Sequence, residues 1–415
     1  MSIKRKRWLY LPHVCIACWM QYASADFWDD SHLSLDTRNF YMNRDFRQDS
    51  AVQSKAEDWG QGFLLNFQSG YTAGLVRFGI DMTGLLGVKL DSGSGTSGTG
   101  AIPFSPRTHR PVDEFGALLP TLKVRVSNTV AKTGALAPLL PVLFRNDTRL
   151  LPQTFYGTLI ESKEITDLSL TAGRIDSTRL RDSSGRDDMT VYGVNPSISG
   201  DRFDLVGAAY NWTPQLSTQY FHAELENIYK QGYYNLVYSF PITSGLKVKA
   251  DLRYFDSEDS GSAKGGNIDN RNLNGLLTFA SGSQALTFGY QYMIGKSAFP
   301  VIGGADPYTA NLMTSQPFIR PQERSLQIRH DFDFAGAGIP GLSIMNRYAQ
   351  GKDIDRGGQL SDDKEWERDL DIRYVIQSGP FKNLSATWRN TSYRSRFAND
   401  IDENRLILGY TFLFY

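Results

Sequence analysis

Short stretches of this chain alternate apolar and polar residues with a period of two. Leu122-Lys123-Val124-Arg125-Val126-Ser127 carries Leu, Val and Val on one face and Lys, Arg and Ser on the other. Val248 to Tyr254, Leu370 to Gln377 and Leu384 to Arg389 repeat the scheme. Successive side chains of a strand point to opposite faces, so this pattern predicts half-buried β-strands rather than helices. Eighteen strands are expected, at 31–44, 59–69, 72–88, 117–128, 152–162, 167–176, 188–194, 201–213, 215–226, 232–242, 245–256, 270–280, 284–295, 321–335, 341–352, 365–377, 382–395 and 401–415. The segment 188–194 is the weakest of them. An even count favours keeping it.

The connections between these strands alternate in length. Ser69-Gly70, Pro214-Gln215, Ser244-Gly245 and Ser378-Gly379-Pro380 are turn-sized. Asp91 to Asp113, Thr129 to Leu151, Asp176 to Asp188, Ser257 to Asp269, Lys296 to Arg320 and Lys352 to Lys364 are long. Short turns on one side and long loops on the other are what a transmembrane β-barrel requires. The fold class read here is all-β: an antiparallel transmembrane barrel of about 18 strands with short periplasmic turns and long extracellular loops.

Both termini change the picture. Lys4-Arg5-Lys6-Arg7, a short apolar stretch from Trp8 to Met20 and the small residues Ala23-Ser24-Ala25 form the tripartite pattern of a secretory signal, expected to be cleaved after residue 25. Residues 26–415 are then the barrel. Cys15 and Cys18 both lie in that signal, so the mature chain has no cysteine and needs none if closed strand pairing holds it. A lipoprotein reading of Cys18 requires a Leu-like residue three positions earlier, where Cys15 stands. Removing the signal leaves 40 basic against 44 acidic residues, a balance that gives no reason to expect a nucleic-acid partner. At the other end Glu403 to Tyr415 is one strand long and ends on an aromatic. An exposed terminal strand this apolar would be an aggregation hazard in a soluble protein.

Eleven stretches, in order, carry a family resemblance. Among them are Thr37-Arg38-Asn39-Phe40-Tyr41, Trp59-Gly60-Gln61-Gly62-Phe63, Arg149-Leu150-Leu151-Pro152-Gln153, Asp251-Leu252-Arg253-Tyr254-Phe255, Gly338-Ile339-Pro340-Gly341 and Gln377-Ser378-Gly379-Pro380. On these the whole mature chain resembles the OprD family of outer-membrane porins, the substrate-specific channels of pseudomonads and relatives. The resemblance implies an eighteen-stranded barrel, monomeric or weakly trimeric, in the outer membrane. Its surroundings would be lipid and lipopolysaccharide, the barrel-assembly machinery would insert it, and Tyr415 would be the terminal aromatic that marks it for insertion.

It also implies passage rather than bond breaking, along an arginine track in the lumen. Guanidinium holds carboxylate by paired hydrogen bonds and stays charged at any relevant pH. A row of weak sites lets an anion enter and still leave. By motif and parity the track is expected to hold Arg38, Arg125, Arg347, Arg373 and Arg389. Arg174 matches a family pore position but has the parity of Leu168 and Leu170, so it needs a bulge or a place above the apolar band. Arg405 sits on a strand that is apolar on both faces. The constriction is expected from Thr129 to Leu151, whose segment Gly134 to Val142 is too apolar for open water. Asp306, in the connection Lys296 to Arg320, is expected as an acidic partner across the pore.

Family channels take basic amino acids and small peptides, or other small carboxylates including aromatic acids. The many lumen arginines and the compact second long loop favour monocarboxylates such as benzoate. An outer-membrane lipase or protease is the rival class, but no Ser motif such as G-x-S-x-G stands beside His32, His109, His222 or His330. A TonB-dependent receptor would need room for a plug domain. No metal-ligand spacing appears, and no cofactor is expected.

Overall fold

The computed structural model describes residues 27–48, 50–357 and 363–415. The export signal expected at 1–25 lies outside these residues. Eighteen strands form one sheet: β1 (His32–Phe46), β2 (Lys55–Gln68), β3 (Val76–Ser92), β4 (Glu114–Val126), β5 (Thr129–Leu136), β6 (Thr154–Ser162), β7 (Leu168–Arg179), β8 (Phe203–Asn211) and β9 (Leu216–Leu225). The second half is β10 (Tyr229–Thr243), β11 (Leu246–Asp259), β12 (Asp269–Ser281), β13 (Gln284–Gly295), β14 (Arg324–Asp333), β15 (Leu342–Ile354), β16 (Asp363–Val375), β17 (Ser385–Ser395) and β18 (Ile401–Leu413). Each strand pairs antiparallel with its neighbours in sequence. The ring closes where β18 pairs with β1, from Ser34 opposite Leu413 to Phe46 opposite Ile401. Closure leaves no edge strand, so every ladder hydrogen bond in the span is satisfied within the protein. The last two residues continue the seam: Leu33 N donates to Tyr415 O at 3.0 Å, and Phe414 N donates to Leu33 O at 3.0 Å.

The period-two pattern sorts as expected on most strands. Leu118 and Leu122 on β4, Leu252 on β11, and Leu406 and Leu408 on β18 stand exposed on the outer surface, where they meet lipid. Their alternates point inward. Turns of two residues join β4 to β5, β10 to β11 and β12 to β13, while residues 93–113, 137–153, 180–202 and 296–323 form the long loops at the other end.

The count of eighteen is right, but two of the expected assignments are not. Thr129–Leu136 is a barrel strand, running back from β4 across the turn Ser127-Asn128 and pairing with β6. The constriction loop therefore starts at residue 137, not at Thr129. The segment 188–194 is not a barrel strand; only Met189–Thr190 is extended, in a small ladder with Ser199–Gly200 inside the loop that follows β7. Strand β5 escapes the period-two test because its lipid face is Ala131, Thr133 and Ala135 and its lumen face is Val130, Lys132 and Gly134. The two faces barely differ in polarity.

A hydrophobic core lies inside the barrel. Phe155, Ile175, Phe203, Phe221, Tyr233 and Phe255 point inward from β6 to β11 and are fully or nearly fully buried. Loop residues cover them: Val142 and Leu143, Met189 and Val191, and Phe299, Ile302 and Ile319. Phe255 and Phe299 meet edge to face with ring centres 5.0 Å apart, a favoured aromatic geometry. The loops are joined by backbone as well. Asp306 N donates to Phe144 O at 3.0 Å, Tyr192 N to Val301 O at 2.9 Å and Gly303 N to Thr190 O at 2.8 Å. On the opposite side the 137–153 loop seats Leu150 against β2. A Cβ on Gly60 would come within 2.6 Å of Leu150 Cδ2, so only glycine leaves that seat open.

Candidate functional site

Strands β14 to β18 and β1 form the wall that the loops leave polar. Strand register arranges their inward residues in rungs across the sheet. One rung runs Arg329, Arg347, Asp369, Thr391, Glu403, Arg44. The next runs Asp331, Met345, Asp371, Arg389, Arg405, Met42, and the third Asp333, Ser343, Arg373, Thr387, Ile407, Phe40. Basic and acidic groups therefore meet both along and across strands.

Arg405 faces inward and is 0 % exposed. Its Nε donates to Glu403 Oε1 at 2.5 Å, its Nη1 to Thr148 O at 3.2 Å and its Nη2 to Thr314 O at 3.3 Å. One guanidinium thus ties the 137–153 loop and the 296–323 loop to the wall. Glu403 is also held by Arg44 at 2.6 Å. Arg347 does similar work: Nε donates to Asp369 at 2.8 Å and Nη1 to Leu312 O at 3.0 Å. Arg389 grips Asp371 with two donors. Arg38 donates to Asp147 Oδ1 at 2.8 Å and to Arg149 O at 2.6 Å.

On β16 the inward residues Glu365, Glu367, Asp369 and Asp371 form a column of carboxylates. The column accepts main-chain donors from the loop. Ser315 N and Gln316 N donate to Glu367 at 2.7 and 2.8 Å, and Thr314 N to Asp369 at 3.2 Å. Arg320 pairs with Glu365. These bonds supply partners for acids that are otherwise buried away from water.

Between this wall and the joined loops lies a cavity of about 490 Å³, the candidate narrow part of the pore, lined by Asn146, Arg149, Arg181, Asp306, Arg347 and Arg389 among others. Asp306, expected as an acidic partner across the pore, lines this cavity. It is half-buried, accepts from Asn146 Nδ2 at 2.6 Å, and burial pushes its carboxyl up to about 6 against the pull of Arg181, Arg149 and Arg405. Arg149 is pressed well below its ordinary value, by burial first and then by the guanidiniums of Arg405, Arg181 and Arg44. Arg181 donates to Asn146 Oδ1 at 3.0 Å and to Thr148 Oγ1 at 2.9 Å. Toward the short turns lies a second, larger cavity of about 650 Å³ that includes Arg329, Asp331, Asp371, Arg373 and Arg389. Arg373 makes no ion pair among the described residues.

Of the seven arginines read from the sequence, Arg38, Arg347, Arg373, Arg389 and Arg405 come together on this wall. Arg125 also faces inward, but on β4, three strands on from β1, where its guanidinium lies 4.4 Å from the centre of the Tyr71 ring. Arg174 is a correction. It shares the outer face with Leu170, is 52 % exposed and pairs with Asp204 at 2.6 Å. A bulge does interrupt β7, but the residue it skips is Asp176, past Arg174, so the parity from Leu170 to Arg174 is unbroken. Sequence reasoning passed over Arg329, although Leu326 and Ile328 give it the same parity argument that selected Arg347. It also passed over Arg149 and Arg181, which sit on loops where parity has no meaning.

The comparisons with known proteins agree with this architecture. Residues 25–414 match the family model for the outer membrane porin, OprD family. The chain is 38 % identical to the porin-like protein GalP of Pseudomonas putida, over 94 % of each chain. The crystal structure of Pseudomonas aeruginosa OccK9 (OpdG) superposes with a TM-score of 0.91 at 43 % identity, covering 93 % of this chain and 99 % of that one. Pseudomonas aeruginosa OpdK, solved with vanillate, superposes with a TM-score of 0.88 at 36 % identity, over 94 % of this chain and all of that one. A closed eighteen-stranded barrel whose loops narrow a charged lumen, matched over nearly its full length by these porins, belongs to the OprD family of outer-membrane porins.

Proposed function

We propose that this porin gives selective diffusion of small carboxylate-bearing nutrients, with aromatic or other monocarboxylates such as benzoate favoured. The observation that carries the reading is the inward run of Arg347, Arg389 and Arg373: Arg347 and Arg389 line the first cavity, Arg389 and Arg373 the second. Arg405 and Arg347 hold the loops. Arg373, unpaired among the described residues, offers its donors to a passing carboxylate. At Arg389 the neighbouring Asp371 competes for the anion, so that contact is weak and lets the anion leave. The vanillate in OpdK is a small aromatic carboxylate in a relative of the same fold. The protein carries no bond-breaking step in this reading. Residues 1–25 serve as the cleaved export signal, and Tyr415 marks the barrel for the assembly machinery. In lipid and lipopolysaccharide the barrel works as a monomer or weak homotrimer.

The test is single-channel conductance of the refolded mature protein in a planar bilayer, titrated with benzoate and then with arginine. Benzoate perturbing the current at lower concentration supports the reading. Arginine doing so instead leaves a channel for basic amino acids and small peptides. No conductance from folded protein refutes a channel altogether. Deleting Tyr415 is expected to lower the amount of barrel in the outer membrane, measured by surface labelling; unchanged levels remove it as an insertion signal.

A further inference from the structure

Six to eight strands around the ring from β16, at the end of the lumen that carries the short turns, β4, β5 and β6 enclose a cavity of about 380 Å³. Register puts Arg125, Val130 and Glu161 in one rung, and Lys123 and Lys132 face each other in the next. Lys163, in the turn after β6, completes the rim. The segment after β2 folds back over this wall. Lys123 Nζ donates to Ser69 O and to Asp81, both at 2.6 Å, and Gly79 leaves the space: a Cβ there would come within 2.5 Å of Lys123 Cε. That fold brings the Tyr71 ring to 4.4 Å from the Arg125 guanidinium and 4.8 Å from Lys123 Nζ. An arginine stacked on a ring has its fork pre-positioned and loses less freedom when it binds.

The charge here is not balanced. Arg125, Lys132 and Lys163 face Glu161, while Glu164 at the rim is already occupied by Ser127, Asn128 and Thr129; Arg125, Lys132, Lys163 and Glu161 make no ion pair among the described residues. Elsewhere on the lumen wall Arg253, Arg329, Arg347, Arg389 and Arg405 each hold an acid. We propose that Tyr71, Arg125, Lys132 and Lys163 form a second carboxylate subsite, at the periplasmic mouth and apart from the arginine wall. It receives a small carboxylate as that anion leaves the wide cavity. Arg125 binds it, the two lysines hold it by charge, and Tyr71 is a positioning residue that fixes Arg125. The inference rests on the carboxylate-channel reading above.

The experiment measures benzoate block in oriented planar bilayers, with benzoate added to one side at a time. The variant carries Arg125→Ser, Lys132→Ser and Lys163→Ser, all at a solvated mouth, and its heat-modifiable mobility on a gel reports folding. The half-blocking concentration from the periplasmic side is expected to rise about fivefold or more, the loss of one bidentate charged contact. From the extracellular side it should change less than about twofold, since the outer approach to the pore is untouched. Tyr71→Leu should raise the periplasmic value and Tyr71→Phe should leave it as in the parent, because the ring and not the hydroxyl positions Arg125. Equal values for parent and triple variant from the periplasmic side overturn the subsite. So does an equal rise from both sides, which would mean a general field. A parent that benzoate blocks from neither side refutes the carboxylate channel and the subsite with it. A parent blocked from the extracellular side alone refutes only the subsite.

Discussion

The walls formed by β6 to β11 and by β14 to β18 with β1 share one backbone pattern, yet they present opposite chemistry to the lumen. The first turns Phe155, Phe203, Phe221, Tyr233 and Phe255 inward, and the loops pack over them as they would over the core of a soluble protein. The second turns Arg347, Asp369, Arg389, Glu403 and Arg405 inward, and the loops touch it through hydrogen bonds and charge. Burial of apolar area draws the loops to one side. The cost of desolvating charge keeps the other side open wherever a partner is missing. A pore placed off-centre, against a charged wall, follows from this asymmetry without any special feature of the loops themselves.

Five substitutions and one change of pH would break or sharpen that contrast. Arg405→Ala removes the tie between two loops and the charged wall, and leaves Glu403 with Arg44 alone. A loss of about 3–5 kcal/mol is expected, the usual result of breaking a buried pair, read as a lower midpoint in denaturant unfolding with a rise in conductance. A wild-type midpoint would mean that the tie is redundant. Phe299→Ala acts on the apolar side, where truncating a buried aromatic costs roughly 3 kcal/mol or more. The 296–323 loop should loosen, seen as current noise and faster proteolysis within the loop, while anion preference holds. Equal loss of preference in both variants would erase the distinction between the walls.

The third concerns pH. The Asp306 carboxyl is raised to about 6, so it is neutral below that pH and charged above it. Anion preference, read from reversal potentials, should therefore increase as pH falls through about 6, because one negative charge leaves the narrow part. Asp306→Asn should hold the low-pH preference throughout; a variant that still titrates would assign the change to another group. The smallest effects separate the two faces of the barrel. Arg373→Ala should lower anion preference about twofold without harming assembly, the effect of one charge in a focusing lumen. Arg174→Ala, on the outer face beside Asp204, should leave selectivity and the unfolding midpoint unchanged, as expected of an exposed pair.

Much of the ring was legible because lipid and water demand alternation, and alternation is visible wherever the two solvents differ in what they accept. Thr129–Leu136 escaped because Ala and Thr meet lipid there, and 188–194 misled because Met189 and Val191 alternate toward a core inside the barrel instead. Arg174 shows how far parity reaches: the strand bulges, but at Asp176, past the point where it could turn that side chain inward. Arg405 could not be oriented from a strand with apolar residues on both faces; only the pairing of β18 with β17 and β1 decides it. Arg149 and Arg181 lay beyond any periodic argument, since loops have no period and their place depends on contacts formed across the lumen.

The carboxylate column of β16 receives the 296–323 loop at Thr314, Ser315 and Gln316 through their main-chain N–H groups. Every residue except proline offers that same donor. The mooring is therefore indifferent to which side chains the loop carries at those positions. Descendants of such a gene can exchange the residues that greet a solute without re-inventing the anchorage, and one scaffold can diversify its diet by drift in a segment whose attachment does not drift with it.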